Sequence, residues 1–444
     1  MRNYLDLFSG SFKAISRRRL RLLALAGTLL GLCLPRAEAN PQGGTVVQGS
    51  ASFTTQGSQF NVTTSDRAFI NWGSFNIAAG ESTTFFQPSA SSVVWNRIDG
   101  ATPSQIFGNL QANGLVILQN QSGFFIGPHA VITANGLIMT TASSPPPDFS
   151  SAGPWSFNEP PPLASIINYG RINIGAGGSA FLIARDLENR GTITAPNGNI
   201  GLYAGKQVLV SERPDGRGLS AQVQLPEGSV DNSGNLIADA GTIALRAQVV
   251  NQGGLIQANS IRERNGVIEL VASDALTLGP ASTIEAKGDA QGTSAGGNIL
   301  LKSDNAFNDQ PTSTINVSGG AAGGHGGQVE ISATKMDVIQ SQIDGHATAG
   351  WLGGTLLIDP LNITLSSTGD AAGSGVVNAG DLPDTLTLNP NSFASFSQIL
   401  LQAVNNITVA SSWNLQCLGS RKDFCTQCKV IGFGPDYLLG DAGL

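Results

Sequence analysis

The chain has 444 residues, of which only 12% are charged and 6% aromatic, while glycine contributes 56. Low charge with abundant Gly, Asn, Ser, Thr, Val and Ile excludes the charge-rich disordered compositions, and the glycines lack the one-in-three spacing of collagen. An acidic balance of 31 Asp+Glu against 24 Lys+Arg leaves no electrostatic footprint for nucleic acid or anionic lipid.

Residues 1–39 read as a cleaved export signal. Arg17, Arg18, Arg19 and Arg21 close a basic segment, and Leu22 to Leu34 form an apolar run shorter than the roughly 20 residues that a spanning helix needs. Ala37-Glu38-Ala39 is a small-x-small cleavage site before Asn40. Cys33 follows Leu32, where a lipoprotein would carry a small residue, so lipid attachment is not the preferred reading. No later segment is apolar enough to span a bilayer as a helix. Residues 1–39 hold seven basic and two acidic side chains, so the remainder has 17 against 29, a balance of −12.

Residues 40–100 are richer in aromatics (Phe53, Phe60, Phe69, Trp72, Phe75, Phe85, Phe86, Trp95). They are expected to pack as the cap of an elongated stack, whose open end would otherwise expose unpaired backbone. Pro145 to Pro147 and Pro160 to Pro162 bracket a segment 143–163 containing Trp155 and Phe157. Proline cannot donate to a ladder, so this segment is expected to leave the stack as a loop.

From Asn168 a template recurs: Asn-x-Gly-x-Ile-x-Ala, a gap, then Gly-x-Ile-x-Leu-x-Ala. Copies begin at Asn168, Asn189, Asn232 and Asn251, with first glycines at Gly170, Gly191, Gly234 and Gly253. The period is about 21 residues, at the lower end of solenoid repeats. Within each copy the apolar residues alternate, which is strand periodicity with one buried face, and Gly and Asn supply the turns. Two or three short strands cannot bury a face alone, but stacked copies can. The predicted fold is therefore all-β: a right-handed parallel β-helix with an N-terminal β cap. A propeller needs longer four-stranded blades, and the leucine-rich framework is missing.

Three stretches break the template. Ser211–Glu227 carries mixed charges and reads as a second excursion. Gly319–Gly327 reads as a glycine-rich turn, lacking the Lys-Ser/Thr of a phosphate loop. Residues 391–404 space Phe393, Phe396, Ile399 and Leu400 as on a helix, with Asn391 or Ser392 as N-cap, so a short helix is expected. Shaft repeats are assigned to 164–413. The tail 414–444 abandons the pattern and holds Cys417, Cys425 and Cys428. Its Cys-x-x-Cys lacks partners for a closed metal site, so the tail reads as aberrant, the product of a frame change near residue 413.

Several phrases resemble one family. N40PQGGTVVQGSASFTTQGSQFNVTTSDRAFINWGSFNIAAGESTTFFQP88, V94WNRIDGATPSQIFGNLQANGLVILQN120 and S122GFFIGPHAVITANGLIMTTA142 are similar, in order and spacing, to the secretion domain of two-partner secretion exoproteins of the filamentous haemagglutinin type. G354TLLIDPLNITL365 resembles a phrase of their shafts. The resemblance implies that residues 40–142 are the secretion domain, recognised by an outer-membrane β-barrel transporter, and that the product is secreted or displayed on a Gram-negative cell. It further implies a non-enzymatic adhesin without cofactor or metal, whose host or bacterial surface ligand the repeat does not encode. The family's Asn-Pro-Asn-Gly signature aligns with Asn120, Gln121, Ser122 and Gly123. Two turn-fixing residues are replaced there, so a looser turn is expected. A secretion-competent fragment without binding activity is the runner-up. A polysaccharide-active enzyme is the lesser alternative, because the shaft acids (Asp186, Glu188, Asp231, Asp239, Glu263, Glu269, Asp274, Glu285, Asp289) form no dense cluster.

Overall fold

The structure, a computed structural model, describes residues 40–143, 154–213, 218–336, 338–366 and 384–410. The export signal with Ala37 and Ala39, part of the proline-rich segment and the tail cysteines lie outside the described residues. Most strands fall into a 20-stranded and a 12-stranded sheet, with a small three-stranded sheet near the C-terminal end of the described stack. The pairing is parallel from coil to coil, so the chain forms the expected β-helix.

The register is set by inward apolar residues that repeat once per coil. In the 12-stranded sheet Leu110, Ile132, Ile172, Ile193, Leu236, Ile256, Ile284, Ile315 and Ile343 lie one above another. In the larger sheet Leu118, Met139, Leu182, Leu202, Leu245, Leu270, Leu301, Ile331 and Ile358 do the same. All but Ile343 are fully or almost fully buried, in one continuous core. A one-residue slip would turn either row outward, so burial fixes the register.

The repeat asparagines form a second, polar row inside the stack. Asn168 Nδ2 donates to Asn189 Oδ1 at 2.8 Å, and Asn189 Nδ2 to Asn232 Oδ1 at 2.7 Å. Asn232 Nδ2 then donates to Gln252 Oε1 at 2.7 Å, and Gln252 Nε2 to Gly254 O at 2.7 Å. The fourth copy therefore sits one residue later than its sequence frame: Gln252, not Asn251, stacks on Asn232. Likewise Gly254, not Gly253, follows Gly234. A Cβ on Gly191, Gly234 or Gly254 would lie 2.1 Å from the carbonyl oxygen of the preceding coil's glycine. Close approach of the turns requires glycine there.

The N-terminal end is closed by antiparallel pairing. Thr45–Gln48 runs against Ala68–Trp72, and Ala51–Gln56 forms a hairpin with Gln59–Thr64. The aromatics fill this cap as expected: Trp72 packs edge-on to Phe53, Phe60 and Phe75 at 5.3–6.0 Å, and Phe75 stacks on Phe85. Phe69 and Trp95 lie instead in the apolar cluster on the outer face, and Phe86 points outward and is 50% exposed.

Two expectations are corrected, and the form of a third is specified. Trp155–Asn158 is a strand, antiparallel to the outer half of Asn199–Glu212, with Trp155 and Phe157 buried. The Ser211–Glu227 excursion is largely the return strand Leu219–Pro226 of an antiparallel hairpin with the same segment. Residues 391–404 are not a helix: a 3-10 turn at Pro390–Phe393 precedes the strand Phe396–Leu401, which pairs with Gly354–Asp359. A bulge in that pairing leaves Phe396 and Ile399 both inward at a spacing of three. A bulge adds one residue to the strand period and so mimics a helical spacing.

The amide row yields a prediction. Asn189→Ala leaves buried Asn168 Nδ2 and Asn232 Oδ1 without these partners, so stability should fall by about 2–4 kcal/mol. The shift of the denaturant midpoint at constant slope measures it.

Candidate functional site

The sequence-predicted motif lies at the end of the strand Leu115–Asn120, on the turn leading into Phe124–Ile126. Asn120 is fully buried and organises the turn. Its Nδ2 donates to Thr102 O at 3.2 Å and Ser104 Oγ at 2.9 Å, and its Oδ1 accepts from Ser122 N at 2.8 Å. Gly123 N donates to Asn120 O at 3.0 Å. Ser122 Oγ reaches Gly100 O at 3.3 Å in the preceding coil. The Asn120 amide ties the turn to the coil beneath.

Gly123 has φ +104°, and a Cβ there would stand 2.6 Å from Ser165 O of the following coil. Asn120 and Gly123 are thus structural, and Gln121 is the exposed member of the four. Phe125, two residues beyond Gly123, begins an outward feature that motif reading missed. Its ring lies 5.7 Å from Phe107 on one side and 5.7 Å from Tyr169 on the other. Arg190 covers Tyr169 at 5.6 Å. Outward aromatics one coil apart were the only sequence signal for this stack, visible once the register is known.

A second surface is built by the extra antiparallel strands. Trp155, Phe157, Val208 and Val210 lie on Trp95, Ile117, Ile138 and Phe181, forming an apolar cluster outside the helical core. Trp95 and Phe157 stack at 5.7 Å, and Trp95 Nε1 donates to Gln119 Oε1 at 2.9 Å. The extra strands thus cover an apolar outer face that the coils alone would expose to water.

Several carboxylates of the shaft accept hydrogen bonds, and Asp186 and Asp231 share Ser229 Oγ at 3.1 and 3.5 Å. Asp231 accepts from Asn251 at 2.6 Å, Asp239 from Gln257 and Asn259 N, and Asp274 from Asn305. A shallow depression of about 190 Å³ is lined by Glu269, Asn298, Leu300, Gln328 and Glu330. Leu300 sits between Glu269 and Glu330 in the same outward row, which separates them by about 10 Å. Glu269 also pairs with Arg246. Burial pushes the Asp309 carboxyl above the usual range, opposed by hydrogen bonds from Ser341 Oγ and the Gln340 and Ser341 amides. That carboxylate joins two coils and faces no groove. Among the described residues no group of three His, Cys, Asp or Glu side chains is placed to hold a metal ion. Among the same residues no helix is long and apolar enough to cross a membrane.

The described residues thus form a capped parallel β-helix, with antiparallel strands laid over one outer face and a tight Asn-initiated turn between its early coils. The chain belongs to the two-partner secretion family: the model described as the TPS secretion domain matches residues 37–285. That match runs well past residue 142, and the parallel pairing of Gly136–Thr140 with Ser179–Ala184 crosses this point without interruption. The chain is similar to the "Heme/hemopexin-binding protein" of Haemophilus influenzae strain Rd, 29% identical over 57% of this chain and 29% of the relative. A second protein of that name from Haemophilus influenzae is 44% identical over 17% of the chain and 8% of its own length. The matched stretch therefore spans under a third of either relative. The crystal structure of the HMW1 secretion domain from Haemophilus influenzae superposes with a TM-score of 0.63 at 25% identity, covering 83% of this chain and all of that one.

The turn geometry predicts that Gly123→Ala, strained at positive φ and crowded by Ser165 O, destabilises the chain by about 1–3 kcal/mol. Gln121→Ala should change stability by less than about 0.5 kcal/mol. Paired denaturation curves separate the two.

Proposed function

We propose that this chain is an exoprotein carried across the outer membrane of a Gram-negative cell by a partner β-barrel, and that it acts outside as a non-enzymatic adhesin. The observation that carries the export half is the family match over residues 37–285. In this reading residues 1–39 are removed on export, and residues 40–142 begin the secretion unit. The barrel reads the exposed surface around Gln121 and the Phe107–Phe125–Tyr169 stack, while Asn120 and Gly123 hold that surface in shape. Folding from the cap outward suits such export, because each coil contacts only its neighbours and can add to a coil already formed.

The adhesive half is supported by the long outward surface of the stack. Its ligand class is open. The binding stated in the names of the two Haemophilus relatives belongs to proteins of which the matched stretch is 29% and 8%. One observation favours a second reading, a secretion-competent segment without its own binding activity: 83% of this chain accounts for the whole solved HMW1 secretion domain.

Co-expression with and without the cognate barrel in a Gram-negative host tests the export half. The full chain should reach the surface or medium only with the barrel, and deletion of residues 40–142 should hold it in the periplasm. Equal release in all arms contradicts the proposal. Binding of the purified chain to host or bacterial cells then separates adhesin from passive segment.

A further inference from the structure

Asn40 begins the described stack and is held on several sides. It is 7% exposed with φ +62°, a left-handed conformation that asparagine tolerates better than most residues. Its side-chain Oδ1 accepts from Thr83 Oγ1 at 3.2 Å, and its backbone nitrogen donates to Glu81 Oε2 at 3.1 Å. The same carboxylate oxygen accepts from Ala78 N at 3.0 Å. Glu81 does not depend on Asn40 for its position. Its own N donates to Ala78 O at 3.0 Å, and Asn109 N of the next coil donates to Glu81 O at 2.9 Å. A Cβ on Gly108 would fall 2.3 Å from Glu81 O, so the coils close tightly on this turn. A carboxylate preset by its own turn is thus aimed at one backbone nitrogen, the nitrogen beside the Ala-x-Ala site.

We infer that Glu81 is the seat of a free N-terminal ammonium on Asn40, created when the Ala39–Asn40 bond is hydrolysed. The inference rests on the reading that the export signal is removed after Ala39. Hydrolysis breaks the C–N bond and adds the water oxygen to the Ala39 carbonyl carbon. Both water hydrogens end on the Asn40 nitrogen, leaving a carboxylate on the released segment and an ammonium on the mature chain. A neutral amide offers Glu81 one hydrogen; the ammonium offers three and a full charge, and hydrogen bonds between ionised groups are about twice as strong as neutral ones. Processing therefore strengthens the attachment of the first residue to the turn carrying Glu81, immediately before Thr45–Gln48 pairs with Ala68–Trp72 and closes the end. Glu81 is a positioning residue for the cap, and the modification that completes its site is proteolytic.

Four chains released from a cleavable fusion test this: starts at Asn40 or at Ala39, each with Glu81 or with Glu81→Gln. Amide hydrogen exchange in Thr45–Gln48 and Ala68–Trp72 is the readout. Glu81→Gln should raise exchange about 3–10-fold more in the Asn40 start than in the Ala39 start, where the charge is displaced by one residue. Nα-acetylation of the Asn40 start, which leaves Glu81 intact, should raise exchange by a similar factor and guards against a folding defect of the Gln variant. Equal effects of Glu81→Gln in both starts, or no effect of acetylation, overturn the seat. An intact mass showing that the exported chain begins elsewhere than Asn40 overturns the cleavage reading on which the inference rests.

Discussion

Every coil of this chain must satisfy its backbone on the coils before and after it, and this in-register stacking is the constraint from which the rest follows. Parallel pairing brings the same position of each coil to the same place, so one inward side chain becomes a column. Aliphatic columns fix which residues face inward but tolerate small displacements along the strand. The buried amide row from Asn168 to Gln252 does not, because each amide must meet the next at hydrogen-bond distance. The neighbouring glycines belong to the same device: their missing Cβ lets successive turns approach until the amides reach one another. Burying polar groups in this way is favourable only when all are paired.

Stacking creates two exposed liabilities, and the early part of the chain answers both. The open first coil is closed by the antiparallel strands Thr45–Gln48 and Ala51–Gln56 with an aromatic filling around Trp72. The apolar outer face around Trp95, Ile138 and Phe181 is covered by Trp155–Asn158 and by the hairpin of Asn199–Glu212 with Leu219–Pro226. These are the segments that depart from the template.

How much was legible in the sequence follows from the same physics. Strict period-two alternation and recurrent Asn-x-Gly made the coil readable, and most of the aromatic block read correctly as a cap, while Phe69 and Trp95 belong to the outer face and Phe86 is exposed. The fourth repeat was framed one residue early because Asn251-Gln252 and Gly253-Gly254 offer the same residue types twice; only stacking on Asn232 and Gly234 chooses between them. The strand Phe396–Leu401 looked helical because a bulge lengthened the inward spacing to three. Proline flanks concealed Trp155–Asn158, whose partner lies on a segment 40 or more residues away. At the candidate site, residue types located the turn at 120–123, but not which members are buried. Asn120 and Gly123 serve the stack, and the outward aromatics of three coils come together only in three dimensions.

The family match reaches residue 285, and coil pairing passes residue 142 unbroken, so the stack is continuous there. Hydrogen–deuterium exchange across the purified mature chain tests this continuity most directly. Protection should rise together in Leu115–Asn120, Gly136–Thr140, Ser179–Ala184 and Asn199–Glu212 and be lost together on adding denaturant. A separate, earlier loss of protection confined to one side of residue 142 would contradict the account.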